Sequence, residues 1–225
     1  MTACTGILGG TFDPVHRGHS YLAQRVSEAF GLDRVLFLVS RRPPHKNVPA
    51  LTSPFHRYAM TVLETLDEPD LFPCHWELTR PAPSYTIQAM QHFQQRFPEE
   101  AFCFIAGSDS LRELNQWKEY GKLLSEHCFI FVQRPGEAVD LSQLAIPSHL
   151  CERIQAVQPQ GRPAIQNGTS YLISLDAPDV SSTALRKTLA EGGIPTPFHL
   201  SPRVLQYAKK FHLYERQQEN PQKSL

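Results

Sequence analysis

Two kinds of apolar pattern alternate along the chain. Short continuous apolar runs end at Ile7-Leu8 and recur at 35–39, 101–106, 129–132 and 171–175. Between them lie longer segments with apolar residues at helical spacing, at 21–30, 54–66, 85–97 and 181–191. The short runs are typical of strands buried on both faces, and the longer segments are typical of amphipathic helices. The alternation therefore predicts an α/β fold, a Rossmann-like doubly wound parallel sheet with helices on both faces.

Two segments fit this pattern less well. Residues 72–78 are interpreted as a strand, but Pro73 and the interleaved polar side chains place it at an edge of the sheet. Residues 136–168 contain several prolines and no clear period, apart from a short helix near Leu141–Leu144. This stretch is either a linker or a surface excursion of the same domain, and the strand-like run after it favours the excursion. We expect one domain over residues 1–215 and a polar, frayed tail at 216–225.

The composition limits the class of protein. Hydrophobic residues make up 41% of the 225 residues and charged residues 20%, as in ordinary globular proteins. Lysine and arginine balance aspartate and glutamate at 22 each, which argues against nucleic acid as a partner. No apolar run is long enough to span a membrane and no basic-then-apolar leader is present, so we expect no membrane partner and a cytoplasmic location.

The cysteines do not indicate a metal centre. The chain has five of them, widely spaced, and none belongs to a C-x-x-C pair. No H-E-x-x-H motif occurs either, so the sequence predicts no protein metal site. Buried, reduced thiols are the better interpretation.

The candidate chemistry is concentrated in residues 9–19, with the sequence GGTFDPVHRGH. This segment joins the first predicted strand to the first predicted helix, where backbone N–H groups at the positive end of a helix bind phosphate well. Gly9 and Gly10 would let the backbone approach a ligand closely. His16 and His19 are three positions apart, so both rings can project from the same side of the first helical turn. The pattern favours a site for concentrated negative charge.

Other glycine-rich loops do not match this segment. A Walker loop requires Gly-Lys followed by Ser or Thr, and the dinucleotide fingerprint requires G-x-G-x-x-G, whereas Gly6 precedes Gly9-Gly10 here. The plain alternative is a tight turn with two exposed histidines. The order Thr-Phe-Asp-Pro followed by His-x-Gly-His instead resembles the signature of a nucleotidyltransferase superfamily, whose members transfer nucleotide monophosphates without a covalent intermediate.

A second candidate motif lies at residues 180–186, with the sequence VSSTALR. Ser181 or Ser182 is a suitable N-cap, and together with Thr183 it places hydroxyl and N–H groups at a helix start. Arg186 follows within the first turns, where its guanidinium could bind phosphate oxygens in a bidentate manner. Taken alone, a good cap and an ordinary surface arginine would be the better interpretation. The Ser-Ser-Thr-x-x-Arg order, however, resembles the second signature of the same superfamily.

Two segments between these motifs are candidates for selecting the substrate. Pro43-Pro44-His45-Lys46 follows the second strand and brings a cation and an imidazole to the expected ligand edge, although Lys46 could equally be a surface lysine. Ser84-Tyr85-Thr86 begins a helix and could hold a small carboxylate there, or merely cap the helix.

Further candidates follow the most apolar strand, residues 101–106. Gly107 would admit close approach just after that strand, and Asp109 could accept a hydrogen bond from a ribose or an amine. Trp117 lies among polar residues, an unusual place for a core tryptophan, and would provide a platform for a flat heterocycle. Trp76, by contrast, is better interpreted as a core residue.

Taken together, these segments resemble the bacterial nicotinate-nucleotide adenylyltransferase family over nearly the whole chain, with a poor match at 136–168. The resemblance rests on GGTFDPVHRGH, PPHK, PSYT, GSDS, Trp117, Arg134-Pro135-Gly136, SSTALR and Leu213-Tyr214. It implies an enzyme that transfers the adenylyl group of ATP to nicotinate mononucleotide. The products would be nicotinate adenine dinucleotide and pyrophosphate, in a late step of NAD synthesis.

The resemblance also implies roles for individual residues. His16, His19 and Arg186 would contact the ATP phosphates, and the nicotinate ring would stack on Trp117. The remaining implied ATP contacts are Gly9, Gly10, Thr11, Phe12, Gly107, Asp109, Ser181, Ser182 and Thr183, and the remaining implied contacts to nicotinate mononucleotide are His45, Lys46, Ser84, Tyr85, Thr86 and Arg134.

The implied chemistry needs no nucleophilic side chain, because the acceptor phosphate is already anionic at neutral pH. Catalysis would then depend on positioning and electrostatics. Mg²⁺ would arrive with the triphosphate rather than occupy a dedicated protein site. A strong preference for the nicotinate acid over the amide is expected, because a carboxylate suits the N–H and hydroxyl groups at Tyr85-Thr86.

Three alternatives remain at this stage. The acceptor could be nicotinamide mononucleotide or phosphopantetheine, the transferred group could be CMP, or the chain could be a nucleotide-binding module without turnover. The PSYT segment and Trp117 favour the nicotinate acceptor, and the histidine pair with Arg186 favours catalysis. Nothing in the sequence indicates an oligomeric state.

Overall fold

The computed structural model describes residues 2–42, 51–81, 83–134, 136 and 138–215. Within these residues seven strands form one sheet: β1 (Cys4–Gly10), β2 (Arg34–Val39), β3 (Leu71–Cys74), β4 (Ala101–Gly107), β5 (Cys128–Gln133), β6 (Ile154–Val157) and β7 (Ser170–Ser174). Every neighbouring pair is parallel, and the order across the sheet is β3-β2-β1-β4-β5-β7-β6. The predicted parallel α/β sheet is confirmed.

Helices cover both faces of the sheet. The described residues form α1 (Arg17–Phe30), α2 (Pro54–Thr65), α3 (Thr86–Arg96), α4 (Ser108–Arg112), α5 (Tyr120–Glu126), α6 (Ser148–Cys151), α7 (Ser182–Ala190) and α8 (Pro202–Lys210). Buried residues of α1, α2, α7 and α8 belong to one core layer, and those of α3, α4, α5 and α6 belong to the other. Successive residues of a strand serve opposite layers: Ile7 packs in the second and Leu8 in the first. This two-sided burial explains the continuous apolar runs in the sequence.

The strong periodic segments are predicted well. The strands expected at 35–39, 101–106, 129–132 and 171–175 are present with ends shifted by one residue at most. The helix expected from residue 54 ends at Thr65, and the one expected at 85–97 spans Thr86–Arg96. The first helix begins earlier than its apolar pattern, at Arg17, and ends where Gly31 takes the left-handed conformation with φ 65°.

The less regular segments differ from expectation. β3 does lie at the sheet edge, but it ends at Cys74, and Trp76–Thr79 form a 3-10 turn that buries Glu77 and Leu78. The excursion at 136–168 holds α6 and the opposite edge strand β6, and its expected helix is only the 3-10 turn Leu141–Gln143. β6 could not be recognised from the sequence, because it is only four residues long and two of its positions are exposed.

α8 was not predicted from the sequence. Its buried apolar positions are few, Val204 and Ala208, among lysine and arginine. The proposed domain limits of 1–215 stay a prediction, and the tail at 216–225 lies outside the described residues. Among the helices that the structure describes, none is long and apolar enough to cross a membrane.

Candidate active site

The candidate site lies where the strand order of the sheet reverses. β1 and β4 are neighbours, and the chain winds outward from them in both directions, through β2 and β3 on one side and β5 on the other. In open α/β sheets ligands bind beyond the carboxyl ends of the strands at such a switch point. Gly10 ends β1 and Gly107 ends β4, so both predicted glycine segments reach this crevice.

The turn between β1 and α1, together with the first residues of α1, is called here the β1–α1 corner (residues 11–19). Phe12 is buried and has φ 52°, a left-handed conformation that is uncommon for a non-glycine residue. Asp13 is buried as well, and its carboxylate accepts hydrogen bonds from the Tyr214 hydroxyl at 2.7 Å and from the Thr52 N–H at 3.2 Å. These contacts fix a backbone that most sequences would not adopt.

The two histidines of the corner lie face to face. His16 is the N-cap of α1 and His19 lies in its first turn, with ring centroids 3.7 Å apart. The His16 backbone N–H donates to Nδ1 of His19 at 3.2 Å, so the proton of a neutral His19 is on Nε2. Phe12 contacts the His19 ring edge-on at 5.0 Å and holds it further. The ring therefore carries one oriented N–H donor.

His16 is held in its neutral form. Its side chain is almost fully buried, and its Nδ1 has no hydrogen-bond partner among the described residues. Burial lowers the pKa of His16 to about 4, with further contributions from the positive charges of Arg134 and His199. An unpaired polar atom on a buried imidazole is uncommon, and its position beside a helix N-terminus marks this corner as a candidate site.

The start of α7 lies directly against the β1–α1 corner. Ser181 caps α7 by accepting the Ala184 N–H at 3.2 Å, and the Ser182 hydroxyl donates to the Pro14 carbonyl at 2.9 Å. Arg186 donates from Nη1 to the Asp13 carbonyl at 2.6 Å and from Nη2 to the Thr183 hydroxyl at 3.2 Å. The two motifs, distant in the sequence, are therefore joined by hydrogen bonds.

The glycine pair acts differently from the prediction. Gly9 and Gly10 lie within β1 rather than in a turn, and a Cβ on Gly9 would be 2.4 Å from Cζ of Phe104. A Cβ on Gly10 would be 2.6 Å from the Phe12 ring. The absence of side chains here makes room for two aromatic rings of the protein itself.

A second set of predicted residues meets at the start of α3. Tyr85 is the N-cap of α3 and Thr86 its first residue, and the Lys118 ammonium lies 4.7 Å from the centre of the Tyr85 ring. Lys118 follows Trp117 directly in the chain, and residues 84–86 with 116–118 are called here the α3 corner. Trp117 is half-buried, as predicted, and contacts the Phe104 ring edge-on at 6.0 Å.

Phe104 of β4 lies between β1 and the α3 corner. Its buried ring is next to Gly9 of β1 and contacts Trp117 of the α3 corner edge-on. The sequence shows this phenylalanine only as one residue of an apolar strand, so its place in the site could not be predicted.

The remaining predicted residues make no direct contact with either corner among the contacts described. Gly107 is exposed, and Asp109 on α4 is exposed and pairs with Arg112 at 2.8 Å. Arg134 follows β5, pairs with Asp179 at 3.3 Å, and acts electrostatically on His16. His45 and Lys46 lie outside the described residues. Trp76, expected in the core, is only partly buried, and its ring contacts the His92 ring and the Arg80 guanidinium.

Two buried charged residues behind the site were missed by the sequence. Arg57 of α2 is fully buried and donates to three backbone carbonyls, while Glu77 accepts from the Ser84 hydroxyl and from the Arg41 N–H at 3.3 Å. The Ser84 hydroxyl is thus engaged with Glu77 rather than facing a ligand. Burial raises the pKa of Glu77 and lowers the pKa of Arg57. In the sequence, Arg57 and Glu77 look like ordinary charged surface residues of a helix and a strand, so nothing there indicates that they are buried.

Comparison with known proteins places the chain among nucleotidyltransferases. A model of the cytidylyltransferase-like family matches residues 7–188. A Thermoanaerobacter sp. (strain X514) protein named probable nicotinate-nucleotide adenylyltransferase is 32% identical, covering 96% of both chains. A Shewanella baltica (strain OS223) protein of the same name is 35% identical, covering 93% of this chain and 98% of the other.

This chain belongs to the nicotinate-nucleotide adenylyltransferase family, within the cytidylyltransferase-like proteins. A solved structure also shares the fold. The nicotinic acid mononucleotide adenylyltransferase of Plasmodium falciparum, complexed with NaAD, superposes with a TM-score of 0.69 at 20% identity, covering 94% of this chain and 97% of that one. The predicted family resemblance is confirmed.

The side chains of this adenylyltransferase site suit anions better than metals. The two motifs contribute imidazole, guanidinium and hydroxyl groups, and such donors match phosphate oxygens. Among the described residues, no three histidine, cysteine, aspartate or glutamate side chains are grouped so as to hold a metal ion.

Proposed function

We propose that this protein transfers the adenylyl group of ATP to nicotinate mononucleotide, giving nicotinate adenine dinucleotide and pyrophosphate in NAD synthesis. The observation that carries the proposal is the junction of the β1–α1 corner with α7, through the bonds from Arg186 to Asp13 and from Ser182 to Pro14. This junction collects His16, His19 and Arg186 at the switch point of the sheet. Family membership supports the same reaction.

The proposed reaction is a single displacement. An oxygen of the acceptor 5′-phosphate attacks the α-phosphorus of ATP, the bond from that phosphorus to the β-bridging oxygen breaks, and pyrophosphate leaves with the electron pair. The acceptor phosphate is already anionic, so no base is required. Negative charge develops on the leaving pyrophosphate, where the Nε2–H of His19 and the Arg186 guanidinium would donate.

The triphosphate would lie along the N-terminus of α1. That terminus is the positive end of the helix dipole, and the hydroxyls at the start of α7 lie alongside it. Mg²⁺ bound to the triphosphate would neutralise part of its charge. Because the side-chain donors here suit phosphate oxygens, we propose that the ion is held by the nucleotide and not by a dedicated protein site.

The acceptor would occupy the α3 corner. The nicotinate ring would stack on the half-exposed indole of Trp117, and its carboxylate would face the N-terminal amides of α3 near Tyr85 and Thr86. The Lys118 ammonium, 4.7 Å from the Tyr85 ring, adds positive charge at the same place. A carboxylate gains from both features, whereas a neutral amide gains little, so the acid is the preferred substrate.

The adenosine would lie beyond β4, near Gly107 and Asp109. Nothing described within 4 Å would meet a Cβ on Gly107, so this position leaves open space for a base or ribose. We propose the cytoplasm as the compartment, because all five cysteines are free thiols, as a reducing environment maintains them.

The test is pyrophosphate release from ATP with a panel of acceptors. Nicotinate mononucleotide should support turnover with a kcat/KM at least about tenfold above that of nicotinamide mononucleotide, the scale of losing a polar partner. Equal rates with the two nucleotides would remove the acid assignment but keep the adenylyl transfer. Turnover with phosphopantetheine instead, with CTP instead of ATP, or ATP binding without release of pyrophosphate would contradict the proposal.

A further inference from the structure

The buried residues Arg57 and Glu77 have no part in the chemistry proposed above, yet burying their charges is unfavourable in free energy. A charged group removed from water is tolerated only where hydrogen bonds and an opposite charge replace the solvent. Both side chains are buried, and each acts electrostatically on the other. Such a pair points to a geometric requirement at this place in the fold.

Arg57 connects the ends of two loops at the ligand edge of the sheet. Its Nη1 donates to the Thr11 carbonyl at 2.5 Å, in the β1–α1 corner. Its Nη2 donates to the Arg41 carbonyl at 3.0 Å, just after β2, and its Nε donates to the Thr52 carbonyl at 2.9 Å. A planar guanidinium with fixed donor directions sets these three carbonyls relative to one another, which a lysine ammonium would not do.

Glu77 continues this connection to the α3 corner. Its carboxylate accepts the Arg41 N–H at 3.3 Å and the hydroxyl of Ser84, the residue before Tyr85. The Ser40 side chain hydrogen-bonds to the same carboxylate. Arg41 is thus held from both sides, with its carbonyl bound to the buried cation and its N–H bound to the buried anion.

The result is a continuous chain of bonds from Thr11 through Arg57, the Arg41 backbone and Glu77 to Ser84. We propose that Arg57 and Glu77 are positioning residues that fix the α3 corner relative to the β1–α1 corner, and so set the approach of the acceptor phosphate to the ATP α-phosphorus. This inference rests on the proposed function. It matters because a displacement of about 1 Å between reacting groups can cost about a hundredfold in rate.

Glu77→Gln tests the acceptor end of this chain, since it keeps the shape of the side chain and removes the charge. We expect the KM for nicotinate mononucleotide to rise about tenfold, the scale of one hydrogen bond to a charged group, while the KM for ATP changes less than about threefold. Glu77→Asp keeps the charge and should recover part of the loss.

The matched control for Glu77→Gln is Glu64→Gln. Glu64 is also a buried carboxylate that accepts from a serine hydroxyl, Ser20 at 2.7 Å, but it packs between α1 and α2 away from the α3 corner. If both glutamine variants change the acceptor KM equally, Glu77 acts only through general stability and the proposal is wrong.

Arg57→Lys tests the other end, because it keeps the charge and loses the planar fork. We expect kcat to fall at least about tenfold, since both corners lose their common reference. Arg34→Lys is the control. The Arg34 guanidinium binds the Glu100 carboxylate at 2.6 Å, at the amino ends of the strands and therefore at the end of the sheet opposite the site. Equal losses in kcat from the two lysine variants would overturn the proposal.

Hydrogen exchange supplies a readout that does not depend on activity. The backbone amides at the start of α3, residues 85–89, should exchange faster in Glu77→Gln than in the parent and in Glu64→Gln. Ser84→Ala should have the same effect and serves if Glu77→Gln does not fold. If the parent shows no turnover with nicotinate mononucleotide, the proposed function fails, and the exchange result alone then supports or overturns the positioning role. Unchanged exchange in Ser84→Ala and Glu77→Gln would end it.

Discussion

The β1–α1 corner and the α3 corner of the candidate site are built in different ways. In the first, Phe12, Asp13 and His16 are buried, and hydrogen bonds from Arg186 and Tyr214 hold the turn from outside. In the second, Tyr85 and Trp117 are only half-buried, and Lys118, whose ammonium lies over the Tyr85 ring, is exposed. The difference follows the chemistry proposed for each. Charge that develops in a transition state is stabilised best by dipoles that need not move, whereas selection of an acceptor needs an accessible pocket.

The largest effect is expected at the β1–α1 corner, from His19→Ala. This change removes the oriented Nε2–H donor, and we expect kcat to fall about a hundredfold or more, the scale of losing one transition-state donor. Steady-state rates of pyrophosphate release measure it. His149→Ala, which removes an exposed imidazole on α6, should leave the rate as it is. A kcat for His19→Ala within a fewfold of the parent would remove His19 from this role.

Arg186→Ala is expected to have the next largest effect. The variant loses a charged donor and also releases the Asp13 carbonyl, so kcat should fall and the KM for ATP should rise, each about tenfold. The comparison variant is Arg203→Ala, whose arginine pairs with Asp67 at the surface and should cost little. Normal ATP kinetics in Arg186→Ala would place this arginine outside the site.

A matched pair of glycine variants compares the packing at the ends of β1 and β4. Gly9→Ala places a Cβ 2.4 Å from the Phe104 ring, so we expect a loss of about 1–3 kcal/mol in the free energy of unfolding, as for other overpacked cores. Gly107→Ala meets nothing within 4 Å and should leave the stability unchanged. If the adenosine lies near Gly107, the second variant raises the KM for ATP alone. Chemical denaturation measures the stabilities, and equal losses would contradict the packing account.

A pH dependence of stability is also expected from His16 and is spread over more than two pH units. Its pKa in the folded protein is lowered to about 4, so between about pH 6.5 and 4 the unfolded chain binds a proton that the folded protein does not. Stability from this group is therefore present above pH 6.5 and is lost as the pH falls, by at most about 1.4 kcal/mol per pH unit. The buried carboxyls of Glu64 and Glu77, whose pKa values are raised, act in the opposite direction.

The comparison for this prediction is His16→Asn, which removes the titrating group. The free energy of unfolding of the parent should approach that of His16→Asn as the pH falls from 7 to 5. Parallel curves for the two proteins over this range would contradict a neutral His16 in the folded state.

The sequence predicts the β1–α1 corner better than the hydrogen bonds that hold it. The glycines and histidines of residues 9–19 form a local motif between a strand and a helix, and a local motif can be recognised from one sequence. The partners that fix it come from far along the chain: Tyr214 is 201 residues from Asp13, and Arg186 is 173 residues from it. Contacts of this range depend on topology, which periodicity alone does not specify.

The same reason explains the two buried charges and the edge strands. Arg57 occupies a position of α2 that a sequence pattern assigns to the surface, because buried arginines are rare. The convergence of three carbonyls, together with the negative charges of Asp13 and Glu77, makes its burial favourable. β6 is too short to show a period, and the strand expected to continue to Leu78 turns instead at Trp76, where Glu77 is directed inward.

The most direct test of the account is a double-mutant cycle between His19→Ala and Arg186→Ala. If both groups hold one triphosphate in one transition state, their effects are not independent, and the kcat of the double variant should lie within about threefold of the slower single variant, whereas independent losses would place it about tenfold lower. Single-turnover measurements with saturating nicotinate mononucleotide give this value. Losses that multiply in full would show that the two corners act separately, and would contradict the claim that they converge on the same phosphates.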